Sequence, residues 1–320
     1  MAVSRDELEI CLSELRASVS DPRHGLFGPS SVAWRVGRES GLLAGGGRAA
    51  LLQLAHPFVA HAIVAHSETT TNPRGRFQRT FNNVYKIVFG DLDCAFGAAR
   101  RVHSTHMKIE GQVGESTGAF RKGTAYEANH DGALFWVHAT LVDTALMAYE
   151  ELIGPLTYAE KDRYYQEMKR FARLFAISYN VMPPTWLEFR PYFDDMVLRV
   201  LGVGGAARQI AKAILSPPNM VAAPAYASLE LLTSAWLPPT LREAYGLRFG
   251  ATESAALRVL LSAERAAYSL LPGPLRYIPA YQRAMQRCSG SRVRRRDQMG
   301  RRLHRWIVDS LLGSARAAGL

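Results

Sequence analysis

The sequence predicts an all-α protein, and two observations lead to that prediction. Apolar residues recur at helical spacing over most of the 320 residues, whereas the alternating apolar and polar runs of strands are nearly absent. Proline pairs at 183–184, 217–218 and 238–239 separate the helical runs as turns would. A hydrophobic content of 48% supplies enough apolar side chains for a core.

The first element is an N-terminal helix that a capping box predicts. Ser4 precedes Glu7 by three residues, and an apolar row follows along one face. Residues 1–24 are therefore assigned to a helix that is loosely attached to the rest of the chain. Residues 25–285 form one predicted domain, because nothing within them resembles an interdomain linker.

Three signals mark the middle of the chain. The longest apolar stretch, residues 41–64, is interrupted by Arg48 and two histidines, which predicts a buried pair of helices rather than a membrane span. Residues 121–132 are rich in glycine and polar side chains, so an irregular loop or at most a short hairpin is expected. A second capping box, Thr157 with Glu160, begins a charged amphipathic helix.

The positive charge is concentrated at the C-terminus. The chain has a formal net charge of +11, and nine of these charges lie after residue 271. Residues 286–320 are predicted to form a basic helical tail that stays solvated or contacts acidic lipid or another protein. Because the rest of the chain is nearly neutral, sequence-specific binding of nucleic acid is not expected. The sequence does not fix an oligomeric state.

The cysteines and the N-terminal residues predict a soluble cytoplasmic protein. The three cysteines are far apart and odd in number, which argues against a disulfide framework and fits a reducing compartment. The opening residues MAVSRDELEI carry charge where a secretory signal would carry its apolar run.

The segment RFQRTFNNVY, residues 76–85, is a candidate binding face. Arg76 and Thr80 are four residues apart and share one face of a helix, whereas aromatic residues repeat at the same interval on a neighbouring face. An arginine drawn toward a core usually needs an anion, a carboxylate or a ligand dipole.

Histidines lie on apolar faces of two predicted helices. One predicted helical stripe is formed by Val102, His106, Ile109 and Val113. His103 lies on an adjoining face of that helix, and His138 lies on an apolar stripe of another helix. Such a histidine is most often a core residue, but in an all-α protein it is also the usual axial ligand of a haem iron. The sequence shows no ligand motif for non-haem iron, no glycine-rich nucleotide-binding loop and no Gly-x-Ser-x-Gly motif of a serine nucleophile.

Five motifs in order resemble one known family. They are GGGRAALLQLAHPFVAHAIVAHS, RFQRT, VHSTHMKIEG, WVHATLVDTAL and PLTYAEKDRYYQE. Their order is similar to that in the family that contains rubber oxygenase (latex clearing protein) and the fungal oxygenase of mycophenolic acid biosynthesis. The resemblance covers roughly residues 30–285.

This resemblance implies a globin-like, mostly α fold around one b-type haem, with O₂-dependent cleavage of an isoprenoid double bond as the best-studied activity. Arg76, Arg79 and Thr80 match the segment on the distal haem face, where they are candidate catalytic residues. His106 best matches the proximal ligand and is the predicted iron ligand. His103 and His138 are second choices for binding the cofactor.

One position departs from the family pattern. Arg79 stands where rubber oxygenase has a lysine, and a guanidinium is a very poor iron ligand. Together with the expected cytoplasmic location, this favours a small isoprenoid or other apolar substrate over rubber. The leading hypothesis is therefore a haem b-dependent oxygenase that uses O₂. The alternatives are a haem-binding sensor or carrier without turnover, and a helical protein whose basic tail binds acidic partners.

Overall fold

The computed structural model describes residues 2–66 and 73–290, apart from the side chains of residues 73–78. Its helices are α1 (Arg5–Ala17), α2 (Val32–Gly37), α3 (Gly46–Leu54), α4 (Pro57–His66), α5 (Pro73–Phe89), α6 (Leu92–His106), α7 (Asp131–Leu152), α8 (Tyr158–Arg173), α9 (Trp186–Asp195), α10 (Gly205–Leu215), α11 (Ala223–Trp236), α12 (Pro239–Ala244), α13 (Ala251–Leu270), α14 (Gly273–Arg276) and α15 (Pro279–Ser289). Short 3₁₀ segments lie at Pro22–His24, Ser40–Gly45 and Tyr179–Val181, and a π-helical turn lies at Met196–Val200. The sheet pairs strand β1 (Glu110–Gln112) with strand β2 (Ala125–Glu127). The all-α prediction is confirmed.

The core is built around α7. This 22-residue helix carries buried side chains on most of its surface, among them Phe135, Trp136 and Val142. A helix that is apolar nearly all round must be enclosed, and α2, α3, α8 and α13 all contact it. The Trp136 indole N–H donates to the Leu52 carbonyl oxygen at 2.9 Å, which fixes α7 against α3.

A buried ion cluster joins four helices. Arg48 on α3 donates to Asp143 Oδ2 and Thr144 Oγ1 on α7, each at 2.6 Å. The same guanidinium donates to the Trp236 carbonyl oxygen at the end of α11 at 2.8 Å. Arg190 of α9 pairs with the other Asp143 oxygen. The Arg48 and Asp143 side chains are each 6% exposed, so neither charge has water to replace a lost partner.

The N-terminal helix is an integral part of this core. The Ser4–Glu7 capping box is present, and the apolar row of α1 is buried against α6 and α8. Glu9 pairs with Arg100 and Glu14 pairs with Arg173 across these contacts. The expectation that the helix is loosely attached is therefore wrong, because its buried face belongs to the main hydrophobic cluster.

The predicted helical stripe that contains His106 is also interrupted. Helix α6 ends at His106, and Ile109 and Val113 lie beyond it, in and around the β1–β2 hairpin. Backbone pairing with residues 123–128 takes the hydrogen bonds that a longer helix would need. Gly111 permits this hairpin, since a Cβ there would lie 2.7 Å from the Tyr126 hydroxyl oxygen. The expected loop or short hairpin at 121–132 supplies β2, and its partner strand lies upstream of that segment.

The apolar stretch at 41–64 forms two helices that meet at a sharp bend. Among the described residues no single helix is long and apolar enough to cross a bilayer. Ser40–Leu54 and Pro57–His66 together match a span in length and composition, with a bend of 98° between them. Helix α3 is buried along most of its length, whereas α4 buries only its first turn.

The predicted basic tail lies mostly outside the described residues. Its first residues continue α15, in which Arg287 donates to the carbonyl oxygens of Arg23 and Phe89 at 2.8 Å each. Residues 291–320 are not among the described ones.

Removal of the charge on Asp143 should destabilise the fold strongly. Asp143→Asn leaves two guanidinium groups facing a neutral amide, one of them buried, and breaking a buried ion pair costs about 3–5 kcal/mol. Urea unfolding at neutral pH measures the loss. The matched control is Asp194→Asn, because Asp194 pairs with the same Arg190 at 3.5 Å but is 62% exposed. It should cost less than about 1 kcal/mol, and equal losses in both variants would contradict the assignment.

Candidate functional site

Helices α5 and α6 form a hairpin that brings distant parts of the sequence together. Only Gly90 and Asp91 separate the two helices, which pack against each other. A Cβ at Gly90 would collide with the Lys86 carbonyl oxygen, so glycine is required at the turn. Asp91 caps α6 by accepting a hydrogen bond from the Cys94 N–H at 2.8 Å. The reversal places the beginning of α5 and the end of α6 at the same, open end of the hairpin.

The closed end of this hairpin is fixed in the core by aromatic packing. The Phe89 ring lies 5.4 Å from Trp34 and 5.8 Å from Tyr281. The Trp34 indole N–H donates to the Val88 carbonyl oxygen at 2.8 Å. Tyr85 extends the aromatic row toward the open end. The hairpin is thus held firmly at its turn and becomes progressively more exposed away from it.

The three candidate distal residues lie at the open end. Arg76 is in the first turns of α5, with its side chain outside the described residues. Arg79 and Thr80 follow it on the same helix, and both side chains are exposed. The predicted shared face of Arg76 and Thr80 follows from the helical backbone of α5.

The two candidate histidines of α6 have different environments. His103 is buried, and its Nε2 lies 3.0 Å from the Val3 carbonyl oxygen. This hydrogen bond links α6 to the N-terminus and engages one of the two ring nitrogens. His106 is the last residue of α6 and is half-buried at the open end of the hairpin. Of the two, His106 has the more accessible side chain.

His138 lies deep in the core, at the middle of α7. Its ring stacks on Phe171 with centroids 5.4 Å apart, and Phe135 flanks it at 6.2 Å. Neither ring nitrogen has a hydrogen bond of good geometry to another described residue. Burial lowers the pKa of His138 to about 3, so the imidazole is neutral near pH 7. A neutral imidazole is the form that ligates a metal, but a porphyrin could reach this ring only by displacing the aromatic neighbours.

Half-buried apolar side chains lie on α5 and on the helices next to it. Helices α4 and α5 both contact α10, and the three carry the residues Ile63, Val84, Tyr85, Ile214 and Leu215. Burial, and secondarily the nearby Tyr268 on α13, raise the pKa of the Tyr85 phenol well above its usual range. Half-buried apolar side chains of this kind suit contact with a planar apolar group or an apolar substrate.

A histidine pair that sequence spacing missed lies beside the β1–β2 hairpin. His56 is 4% exposed, and its ring packs 5.3 Å from Phe58 and 5.2 Å from Phe120. The His130 ring also packs against Phe58, with ring centroids 5.5 Å apart. Burial, and secondarily the nearby His130, lower the pKa of His56 to about 4. Intervals between histidines along one helix could not reveal a pair that forms only when the hairpin folds back.

The donor set of the described residues fits a haem. They contain no group of three or more His, Cys, Asp or Glu side chains that could hold a metal ion. A haem iron needs only one axial ligand from the protein, since the porphyrin supplies four nitrogens. A half-buried imidazole at the end of α6 meets that requirement.

Comparison with known proteins supports an oxygenase. A family model described as "ER-bound oxygenase mpaB/B'/Rubber oxygenase, catalytic domain" matches residues 34–266, more than two thirds of the chain. No curated protein and no solved structure matches the chain. The matched range contains α3 to α12 and every candidate site residue.

The buried state of His56 predicts a loss of stability in acid. Because its pKa is about 4 in the folded protein against an ordinary value of 6.5, its neutral form stabilises the fold above pH 6.5. This contribution is lost progressively as the pH falls from about 6.5 toward 4. His56→Gln should flatten the fall in unfolding free energy over that interval, as urea titrations at several pH values would show.

The control for this experiment is Phe58→Leu. It loosens the same cluster but keeps the titrating imidazole, so the steep acid dependence should remain even if overall stability falls. An unchanged slope in His56→Gln would refute the role of His56.

Proposed function

The chain belongs to the catalytic-domain family of the ER-bound oxygenase mpaB/B′ and rubber oxygenase, and on this basis we propose that it is a haem b-dependent oxygenase. Membership of this family makes it an oxidoreductase. The proposal adds the cofactor and the substrate class: haem b, O₂, and a small isoprenoid or other apolar molecule. A cytoplasmic location remains a prediction from the sequence.

The observation that carries the proposal is the α5–α6 hairpin. It connects the helix that bears Arg76 and Thr80 to the helix that ends at His106 through a two-residue turn. Arg76 and His106 lie about fifteen residues from this turn, a distance of about 22 Å along each helix, whereas Thr80 lies about ten residues, or about 15 Å, from it. A cofactor at the open end would therefore lie within reach of the ligand from one helix and the polar side chains from the other.

His106 would hold the haem through its imidazole, and the apolar side chains of α4, α5 and α10 would contact the porphyrin and the substrate. When bound, the haem would supply O₂ binding and electron transfer. His103 has a different role in this proposal, because its hydrogen bond to Val3 fixes the last turns of α6. His106 would thereby project from a helix end whose position is fixed.

Arg76 and Thr80 would provide polar groups in an otherwise apolar site. The Arg76 guanidinium would donate hydrogen bonds where negative charge develops on oxygen during the reaction, and the Thr80 hydroxyl would orient O₂ or the substrate. A preorganised donor of this kind acts most strongly where water is excluded. Arg79 would keep the site positively charged without binding iron, since its guanidinium stays protonated.

Haem binding tests the first part of the proposal. His106→Ala should lose most of the Soret absorbance and haem content of protein purified from cells supplied with iron and a haem precursor. His103→Ala should keep the haem but melt at a lower temperature, because it loses the contact with Val3. Circular dichroism should show that both variants remain helical. Full haem content in His106→Ala would refute the ligand assignment, and loss in His138→Ala alone would transfer it to α7.

Turnover tests the second part. Arg76→Met keeps the bulk of the side chain but removes its charged donor, and loss of such a donor typically slows the reaction about 10²- to 10³-fold. Oxygen consumption with an isoprenoid substrate at full haem content measures the effect. Thr80→Val should slow the reaction less, because it loses only a neutral hydroxyl.

The matched control for Arg76 is Arg101→Met, an exposed arginine of α6 near the same end of the hairpin. Its turnover should equal that of the unaltered protein. A haem-loaded Arg76→Met protein with unchanged turnover would show that Arg76 has no role in the reaction. Haem loss in this variant would instead indicate a role in binding the cofactor.

A further inference from the structure

The turn between α10 and α11 exposes two adjacent large apolar side chains. Met220 is 86% exposed and Val221 is 91% exposed, the highest values for large apolar side chains among the described residues. Single exposed apolar side chains are common and need no explanation. An adjacent pair at the tip of a turn is different, because it places two large apolar side chains next to each other in water. We refer to these two residues as the apolar tip.

The structure of the turn maintains this exposure. Pro217 and Pro218 restrict the backbone at its entry. The Asn219 side chain accepts a hydrogen bond from the Ala222 N–H at 2.9 Å and so closes the turn around the apolar tip. Ala222 itself is only 4% exposed and anchors the turn to the body of the protein. The exposure of Met220 and Val221 is therefore built into the turn.

The surrounding sequence favours a negatively charged partner. Residues 200–229 contain no aspartate or glutamate, but they contain Arg208 and Lys212. Arg208 and Lys212 are exposed on α10, the helix that leads into the turn, and the Arg208 Nε–H also donates to the Ala244 carbonyl oxygen at 3.2 Å. At its opposite end α10 contacts a carboxylate, because Glu115 accepts a hydrogen bond from the Gly205 N–H at 2.6 Å. The apolar tip thus follows a basic helix surface without acidic residues of its own.

We propose that this turn docks the protein on an anionic phospholipid surface. Met220 and Val221 would enter the boundary between headgroups and acyl chains, and Arg208 and Lys212 would interact with the headgroups. Two apolar side chains and a few positive charges give weak, reversible attachment. A second copy of the chain suits the tip less well, since a stable dimer buries roughly 800 Å² on each partner. The proposal does not depend on the identity of the cofactor.

Vesicle binding by the full-length chain tests the proposal. The probes are extruded vesicles of phosphatidylcholine alone and of phosphatidylcholine with an equal amount of phosphatidylserine, and co-sedimentation measures binding. The unaltered protein should prefer the anionic vesicles, and added salt should weaken this binding. The double variant Met220→Ser with Val221→Ser should bind at least about tenfold more weakly, since it has lost the two inserted side chains.

The matched control replaces two exposed apolar residues elsewhere. Leu187 on α9 and Val259 on α13 are 67% and 72% exposed, and Leu187→Ser with Val259→Ser should bind vesicles as the unaltered protein does. Circular dichroism and melting temperature should be the same for all three proteins. Residues 291–320 are retained in each, so any contribution from their arginines cancels in the comparison.

Three results would overturn the proposal. The first is the absence of any binding of the unaltered protein to anionic vesicles. The second is equal binding by the tip variant, which would place the contact in another part of the chain. The third is self-association of the unaltered protein that the tip variant abolishes without any change in vesicle binding, since the partner would then be a second copy of the chain. None of these results bears on haem content, so the proposed function is tested separately.

Discussion

The enclosure of α7 is the constraint on which the rest of the structure depends. A 22-residue helix with large apolar side chains on most of its surface can be stable in water only when other helices surround it. Asp143 adds a second requirement, because a buried carboxylate needs a cation. Arg48 on α3 and Arg190 on α9 both pair with this carboxylate. The Trp236 carbonyl oxygen of α11 accepts a hydrogen bond from the Arg48 guanidinium and so fixes its orientation. One charge on the central helix thereby fixes the positions of three surrounding helices.

The candidate site uses the part of the molecule that this core leaves open. The turn at Gly90 and the packing of Phe89 on Trp34 fix one end of the α5–α6 hairpin. At the other end, α5 exposes Arg79 and Thr80 and α6 ends at the half-buried His106. A rigid base with an accessible end suits the proposed cofactor site, because the scaffold would position the ligand and a bound cofactor would complete the packing.

The histidines show how the environment divides one residue type among different roles. His56 and His138 are kept neutral by burial, which lowers the pKa of His56 to about 4 and the pKa of His138 to about 3. His103 is buried as well, but its Nε2 forms a hydrogen bond with the Val3 carbonyl oxygen and so joins the N-terminal segment to α6. Of the three candidate ligands, His103, His106 and His138, only His106 lies at an accessible helix end. The proposed function therefore assigns stability and cofactor binding to separate imidazoles, which is why single substitutions can distinguish them.

The sequence by itself determined the local elements. Helical periodicity identified the all-α class, and the capping boxes at Ser4 and Thr157 marked the first residues of α1 and α8, because these signals involve only neighbours along the chain. Tertiary structure alone decided the end of α6 at His106, since β1 pairs with a strand about fifteen residues further on. It also decided the burial of α1, the contact of His103 with Val3 and the pairing of His56 with His130. Each of these depends on contacts between segments far apart in the chain, and periodicity within one segment contains no information about which surface will cover it.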